Sequence, residues 1–245
     1  QPAPQPQAAP AVQSETQPAT GTESPTAVPD GKALLAKTAA MLKESKTHSF
    51  NFKMILSSIE ETKYAEFSAE GGLKTGTGNL VMINLKDNKS ETITINNAAE
   101  QILYMPRENR YQQLPSAPTR HEVIASMIPG IWEIPCTFIA DILEGNLPAL
   151  NNMAVIQVTQ GGKACWEVSG ETDLYALRIS LLKDEPCFPV KMTMALYSKA
   201  AKAYIPDSNK VFTIVTEFKN WQVNPANPDS VFIFSPPPNA VKLSS

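Results

Sequence analysis

Residues 212–243 read FTIVTEFKNWQVNPANPDSVFIFSPPPNAVKL, and this stretch decides the fold class. Phe212, Ile214 and Phe218 stand at even spacing, and Phe232 and Phe234 repeat the pattern further on. Alternate residues of a strand point to opposite faces, so the spacing predicts strands with one buried face. Asn224-Pro225 and Asn227-Pro228 are turn signals between them, and Pro236-Pro237-Pro238 closes the second. Nothing here suggests catalysis. The stretch predicts the end of a sheet that covers something apolar.

The same period runs through the rest of the chain. Phe50, Phe52, Met54 and Leu56 alternate after His48. Tyr64 to Leu85 is strand-like but interrupted by Gly71, Gly72, Gly76 and Gly78, which predict bulges or bends. Ile93 and Ile95, then Ile102 and Tyr104, then Tyr111 follow. Further on come Ala154, Ile156 and Val158, then Trp166 and Val168. Tyr175, Leu177, Ile179 and Leu181 form another face, and Val190, Met192, Met194 and Leu196 the next. About ten strands with no βαβ rhythm predict an α+β fold: one strongly curved antiparallel sheet with helices on one side.

Two places carry the helical period. Asp30 stands as an N-cap before Leu34, Leu35, Thr38, Met41 and Leu42, which predicts an amphipathic helix over 31–45. Thr119-x-x-Glu122 is a capping box ahead of Val123, Ile124, Met127 and Ile128, and Pro129-Gly130 stops that helix. Ile131 and Trp132 come next, then a short helix with Phe138, Ile139, Ile142 and Leu143 and with Gly145 as its stop. The insert 119–145 is very apolar for a connection, and it suits a plug or gate for a concave sheet.

Residues 1–28 hold six prolines, no aromatic residue and two charges, Glu15 and Glu23. Too little apolar surface is present to offset ordering entropy, so 1–29 is expected to be a disordered Pro/Gln/Ala-rich linker and 30–245 a single domain. The chain starts at Gln1, which suits a processed N-terminus or a trimmed chain alike, and a removed signal peptide would leave no trace. Hydrophobic residues make up 42%, enough for a sizeable core, while a net charge of −3 gives no basic field for nucleic acid. No apolar run approaches the roughly 18 residues that span a bilayer.

Catalytic groups are scarce. The two histidines, His48 and His121, supply neither a triad nor a multi-histidine metal site. Ser180-x-x-Lys183 and Lys74-Thr75-Gly76 imitate the motifs of penicillin-binding enzymes, but in reversed order and with the serine in strand-like sequence. Cys136, Cys165 and Cys187 fit no zinc spacing. In a simple meander Cys165 and Cys187 lie two strands apart, about 9–10 Å, too far for a disulfide. Cys136 is left free to meet either one, or all three are small buried thiols. Neither an enzyme nor a cofactor or metal is expected.

A family resemblance joins these features. Phe232-x-Phe234-x-Pro236-Pro237-x-x-Ala240-x-Lys242 resembles the F-x-F-x-P-P-x-G-A-x-K close of LolA-like periplasmic proteins of the DUF2092 type, with Asn239 where the family has glycine. Tyr104, Pro106 and Tyr111 resemble its Y-x-P-x-x-x-x-Y segment, and Gly162-x-x-Cys165 and Pro189-Val190-Lys191 resemble two of its strand starts. Trp221 stands where the group often has Trp or Asn. The matches run in order over roughly 32–243. The resemblance implies a half-open barrel whose sheet wraps helices around an apolar cavity. LolA and LolB carry lipoprotein acyl chains, and a related envelope-stress regulator senses instead. No Cys begins the chain, so nothing in it shows a lipoprotein anchor, and the N-terminal linker suits a tether to a membrane anchor or a preceding domain as well as a processing remnant.

The expected function is a non-enzymatic, monomeric protein of the periplasm or cell envelope that binds a lipid, a lipoprotein acyl chain or another hydrophobic ligand. The alternative is a sensing or scaffold module that binds a protein partner, for instance by strand addition at an open sheet edge. Cavity candidates on the strands are Phe52, Met54, Ile102, Tyr104, Leu177, Met192, Met194, Phe212 and Ile214. In the insert they are Ile131, Trp132, Phe138 and Ile139.

Overall fold

A computed structural model describes residues 27–60, 63–75, 81–86, 91–119, 121–123, 133–204, 211–226 and 228–244. The first helix, α1 (Gly31–Glu44), forms where the cap predicts it: the Asp30 carboxylate accepts the Ala33 N–H at 3.2 Å. Its buried stripe is Leu34, Leu35, Thr38, Ala39 and Leu42.

Six strands then run as a meander: β1 (His48–Glu60), β2 (Lys63–Thr75), β3 (Val81–Lys86), β4 (Glu91–Asn96), β5 (Glu100–Met105) and β6 (Arg110–Pro115). The helix α2 (Glu133–Leu143) interrupts them. A second meander follows: β7 (Asn151–Gln160), β8 (Lys163–Glu171), β9 (Tyr175–Leu182) and β10 (Pro189–Leu196). After a short helix, α3 (Ser198–Tyr204), the long β11 (Val211–Val223) enters between β10 and β1 and joins the two meanders into one sheet. A final short strand, β12 (Val241–Leu243), completes the order β12-β6-β5-β4-β3-β2-β1-β11-β10-β9-β8-β7.

Local chemistry explains the joints. Gly161 and Gly162, both at positive φ, make the two-residue turn between β7 and β8. Gly145 ends α2 at φ 81°, with its N–H on the Ile142 carbonyl and the Asn146 N–H on the Asp141 carbonyl. That pair of bonds is the Schellman arrangement, which needs a left-handed residue at this point. The buried ring of His48 ties α1 to the sheet: Nε2 lies 2.8 Å from the Leu42 carbonyl and Nδ1 3.0 Å from Thr75 Oγ1. A carbonyl can only accept, so Nε2 carries the hydrogen there.

Over six strands one face of the sheet is an apolar ladder interrupted by Thr216. Register places Val155, Val168, Ile179, Met192, Thr216 and Met54 side by side across β7, β8, β9, β10, β11 and β1. The helices α1 and α2 pack on this face, and together they form the main core. A smaller core lies at the other end of the sheet, where Ile95, Ile102 and Phe232 meet.

Several expectations change. The sheet has twelve strands among the described residues, and β12 runs parallel to β6. Phe232 and Phe234 are not on a strand: Asp229–Phe232 is a single 3-10 turn, followed by unpaired extended chain. The prolines at 228 and 236–238 lack the N–H that a ladder needs, so the segment is held by its rings and by the Asn97 and Asn109 side-chain amides, which donate to the Phe232 and Pro238 carbonyls at 2.9 and 3.1 Å. Gly71 and Gly72 make no bulge; β1 and β2 stay in register through them, opposite Phe52 and Asn51. Thr119 caps as predicted, with the Glu122 N–H on Thr119 Oγ1 at 3.1 Å. Residues 124–132, including Ile131 and Trp132, lie outside the described set, as do residues 1–26 of the expected linker.

Candidate functional site

The candidate site is the seam between α2 and the ladder face. Its helix has Glu133 in the first turn, where an acidic group suits the exposed N–H groups, and Pro135 where a missing N–H costs least. From there it is apolar nearly all round: Cys136, Phe138, Ile139, Ala140, Ile142 and Leu143 are all buried. Such a helix is stable only when covered on most sides. The sheet, α1 and the segment after α2 cover it: Leu42, Leu147 and Leu150 belong to the same cluster.

A cavity of about 10 Å³ remains between α2 and the sheet. That holds one water at most. Leu42 of α1, Phe138 and Ile142 of α2, Ile179 of β9, Met192 of β10 and Phe218 of β11 stand around it. Trp221 and Pro189 close one side, with the indole N–H donating to the Pro189 carbonyl at 2.8 Å. Trp221 stacks between Phe50 at 4.0 Å and Phe188 at 5.4 Å, ring centre to ring centre. No polar surface faces the cavity.

The structure sorts the predicted residues into three groups. Phe52, Met54, Phe138, Ile139, Leu177, Met192 and Met194 meet in the main core around the seam, and Phe138, Ile139 and Met192 line the cavity itself. Phe212 and Ile214 lie beside it, in a small cluster with Leu56 and Leu196. Ile102 and Tyr104 do not belong: they pack under the C-terminal segment, where the Tyr104 ring meets Phe234 at 5.3 Å. Leu42, Ile142, Leu143, Ile179, Pro189, Phe218 and Trp221 were missed as lining residues. Parity signalled Ile179 and Phe218. Pro189 and Trp221 had stood out only as separate motif positions, and the structure puts them in direct contact.

All three cysteines are free and buried. Burial pushes the Cys136 thiol up to about 12, and its Sγ lies 3.9 Å from Met54 Sδ. Thiolate is the reactive form, so native Cys136 should stay unlabelled by a thiol reagent at pH 8 and react fully once the protein is unfolded. Mass mapping of the labelled cysteine checks this; rapid native labelling at Cys136 would refute the packing of α2.

Ser180 and Lys183 of the S-x-x-K match have separate partners. Ser180 donates to Glu167 at 3.4 Å, whereas Lys183 donates to Gln157 at 3.2 Å and sits over the Trp166 ring. Among the described residues no group of three His, Cys, Asp or Glu is placed to hold a metal. Among them, too, no helix is long and apolar enough to cross a membrane. A wider, exposed cleft of about 340 Å³ lies between α1 and the β9–β10 connection, with Lys37, Met41, Glu185 and Cys187 on its walls. Lys37 and Glu185 bridge it as an exposed ion pair.

Comparison with known proteins gives one family and a set of distant structures. Residues 31–244 match the family model described as predicted periplasmic protein (DUF2092). No curated protein matches the chain. An uncharacterized conserved protein from Thermus thermophilus is similar at 10% identity and a TM-score of 0.45, over 86% of this chain and 97% of that one. LprF from Mycobacterium bovis is similar at 12% identity and a TM-score of 0.41, over 79% and 94%. A LolA superfamily protein from Nitrosomonas europaea is similar at 10% identity and a TM-score of 0.38, over 83% and 97%.

Proposed function

We propose, from the premise that this chain belongs to the DUF2092 family of predicted periplasmic proteins, that it is a periplasmic binding protein that takes an acyl chain or similar apolar ligand into the seam under α2. On this reading the sheet wraps α1 and α2 as a half-open barrel, and α2 is a lid in its closed position. The observation that carries the reading is the wholly apolar lining of the seam, closed down to about 10 Å³. A ligand must therefore exchange with α2 rather than fill an existing hole.

Magnitudes allow that exchange. Each buried CH₂ contributes about 0.8 kcal/mol, so a sixteen-carbon chain gains roughly 12 kcal/mol before costs. Lifting Phe138, Ile139, Ile142 and Leu143 off the sheet costs about 1.5–3 kcal/mol each, or roughly 6–12 kcal/mol. The terms nearly balance, so long chains open the seam and short ones do not. Met54, Met192 and Met194 add side chains that repack at low cost.

The test is a titration of delipidated protein with a fluorescent sixteen-carbon fatty-acid methyl ester and an eight-carbon counterpart. Saturable one-to-one binding of the long chain alone is expected; no binding of either sinks the proposal. In a Cys165→Ser, Cys187→Ser background, labelling of Cys136 should also accelerate when the long chain is present, because its burial depends on α2.

A second reading rests on the sheet edge. Strand β7 is terminal in the sheet order, and residues 151–160 include no charge and no proline. Ile156 is 55% exposed there. Exposed edge strands are usually blunted by charge or proline, so an open, neutral edge suits a partner strand. Ile156→Lys should abolish capture of an envelope partner on this reading while leaving probe binding intact.

A further inference from the structure

Thr216 holds the one buried side-chain polar atom, among the described residues, that lacks a hydrogen-bond partner: its Oγ1. The residue is fully buried near the middle of β11. Register sets it between Met192 of β10 and Met54 of β1, on the ladder face that α2 covers. Met192 beside it and Phe218 two residues along both line the seam cavity. Thr216 does not line the cavity itself; its hydroxyl lies unpaired in the sheet face beneath α2, whose Cys136 rests on the neighbouring Met54, and a ligand reaches it only when α2 lifts.

Native proteins rarely leave such a group orphaned, because burying it unpaired is destabilising while a valine of the same shape is not penalised. A trapped water is a poor answer. It needs two to four polar partners, and the cavity wall offers none. The Trp221 N–H at its edge is already committed to Pro189. What remains is a partner that arrives with the ligand.

We propose that Thr216 donates its hydrogen bond to an uncharged carbonyl on the seam's ligand, so that the ligand is a neutral lipid carrying an ester, amide or ketone. The inference rests on the binding reading above and narrows it. A free carboxylate is disfavoured because no Lys or Arg is buried among the described residues, and burying an unpaired charge costs far more than one neutral hydroxyl returns. A plain hydrocarbon is tolerated but leaves the hydroxyl orphaned. A neutral carbonyl satisfies it and adds no charge. The donor's surroundings fit a ligand of this kind, since the flanking thioethers of Met54 and Met192 adapt to its shape.

The experiment compares three sixteen-carbon probes on delipidated full-length protein: carbonyl-labelled methyl palmitate, sodium palmitate and hexadecane. Wild type is expected to bind the ester above the other two, with the ester carbonyl infrared band moved to lower wavenumber by the hydrogen bond. In Thr216→Val the band returns to its unbonded position and ester affinity falls about fivefold to tenfold, the value of one net hydrogen bond. Hexadecane affinity stays level, the unliganded variant melts at a higher temperature, and Thr216→Ser keeps the band shift. If ester and hexadecane bind but the band is unshifted and Thr216→Val changes neither affinity, this inference falls and the binding reading stands. Palmitate binding as tightly as the ester overturns it too. If no probe binds, the binding reading fails, and this inference with it.

Discussion

Replacing Phe138 with alanine is expected to cost about 3–5 kcal/mol of stability and, in the same protein, to open the seam to small apolar molecules. The ring is 4% exposed and stands on α2 opposite Ile179, Met192 and Phe218, the sheet side of the cavity. Its loss removes the transfer free energy of a benzyl group and leaves a void that three strands cannot collapse, because each is held by pairing on both sides. An apolar cavity of about 150 Å³ stays dry and takes up benzene or xenon. The variant should therefore unfold at lower denaturant with an unchanged slope, and benzene should restore part of the lost stability through binding to the native state. A Phe138→Leu control should lose less and gain no benzene effect. A smaller loss of stability with no benzene rescue would mean that α2 sinks into the void, and then it is not a lid over a rigid floor.

The fold was legible wherever one short-range cause sufficed. Asp30 announced α1 because a cap acts over three residues, and Gly145 announced the end of α2 because only a left-handed residue closes that turn. Strand faces were legible because burial on one side imposes a period of two. The segment at Phe232 shows the limit of that signal. Phe232 is buried and Phe234 packs on Tyr104 and Tyr111, so the spacing marks a shared face correctly. It does not reveal whether a ladder exists, and between prolines none does. The same holds for Gly71 and Gly72, whose effect depends on what lies opposite them.

The site was half legible for a related reason. Parity placed Met54, Leu177, Met192 and Met194 on one face, and they do share a core. Parity carries nothing about position across the sheet. Ile102 and Tyr104 have the right period, but three strands lie between β5 and β1, and a different cover, the C-terminal segment, packs on them. The adjacency of β1 and β11, which brings Met54 beside Thr216, joins residues more than 150 positions apart. No local pattern encodes that pairing. The orphaned hydroxyl was invisible as well, because a threonine in a strand is ordinary until its neighbours are known.

The second large effect is expected at Phe50. Phe50→Ala should cost about 3–5 kcal/mol and loosen the Trp221 side of the seam, although Phe50 does not line it. The ring is 1% exposed, stacks on Trp221 at 4.0 Å and meets Phe218 edge-on at 6.0 Å. Trp221 in turn lies parallel to Phe188, 6° between planes, and its N–H holds the Pro189 carbonyl. The three rings thus connect β1, β11 and the approach to β10. Without Phe50 the indole loses one face of its sandwich, and its remaining contacts have to hold it against water. A double-mutant cycle with Trp221→Ala separates this coupling from bulk burial; about 0.5–1.5 kcal/mol of interaction energy belongs to the ring pair itself. Long-chain probe should then dissociate faster from Phe50→Ala than from wild type, since the wall that closes behind the chain is mobile. An additive cycle with an unchanged off-rate would reduce the stack to ordinary core and leave α2 as the seam's only gate.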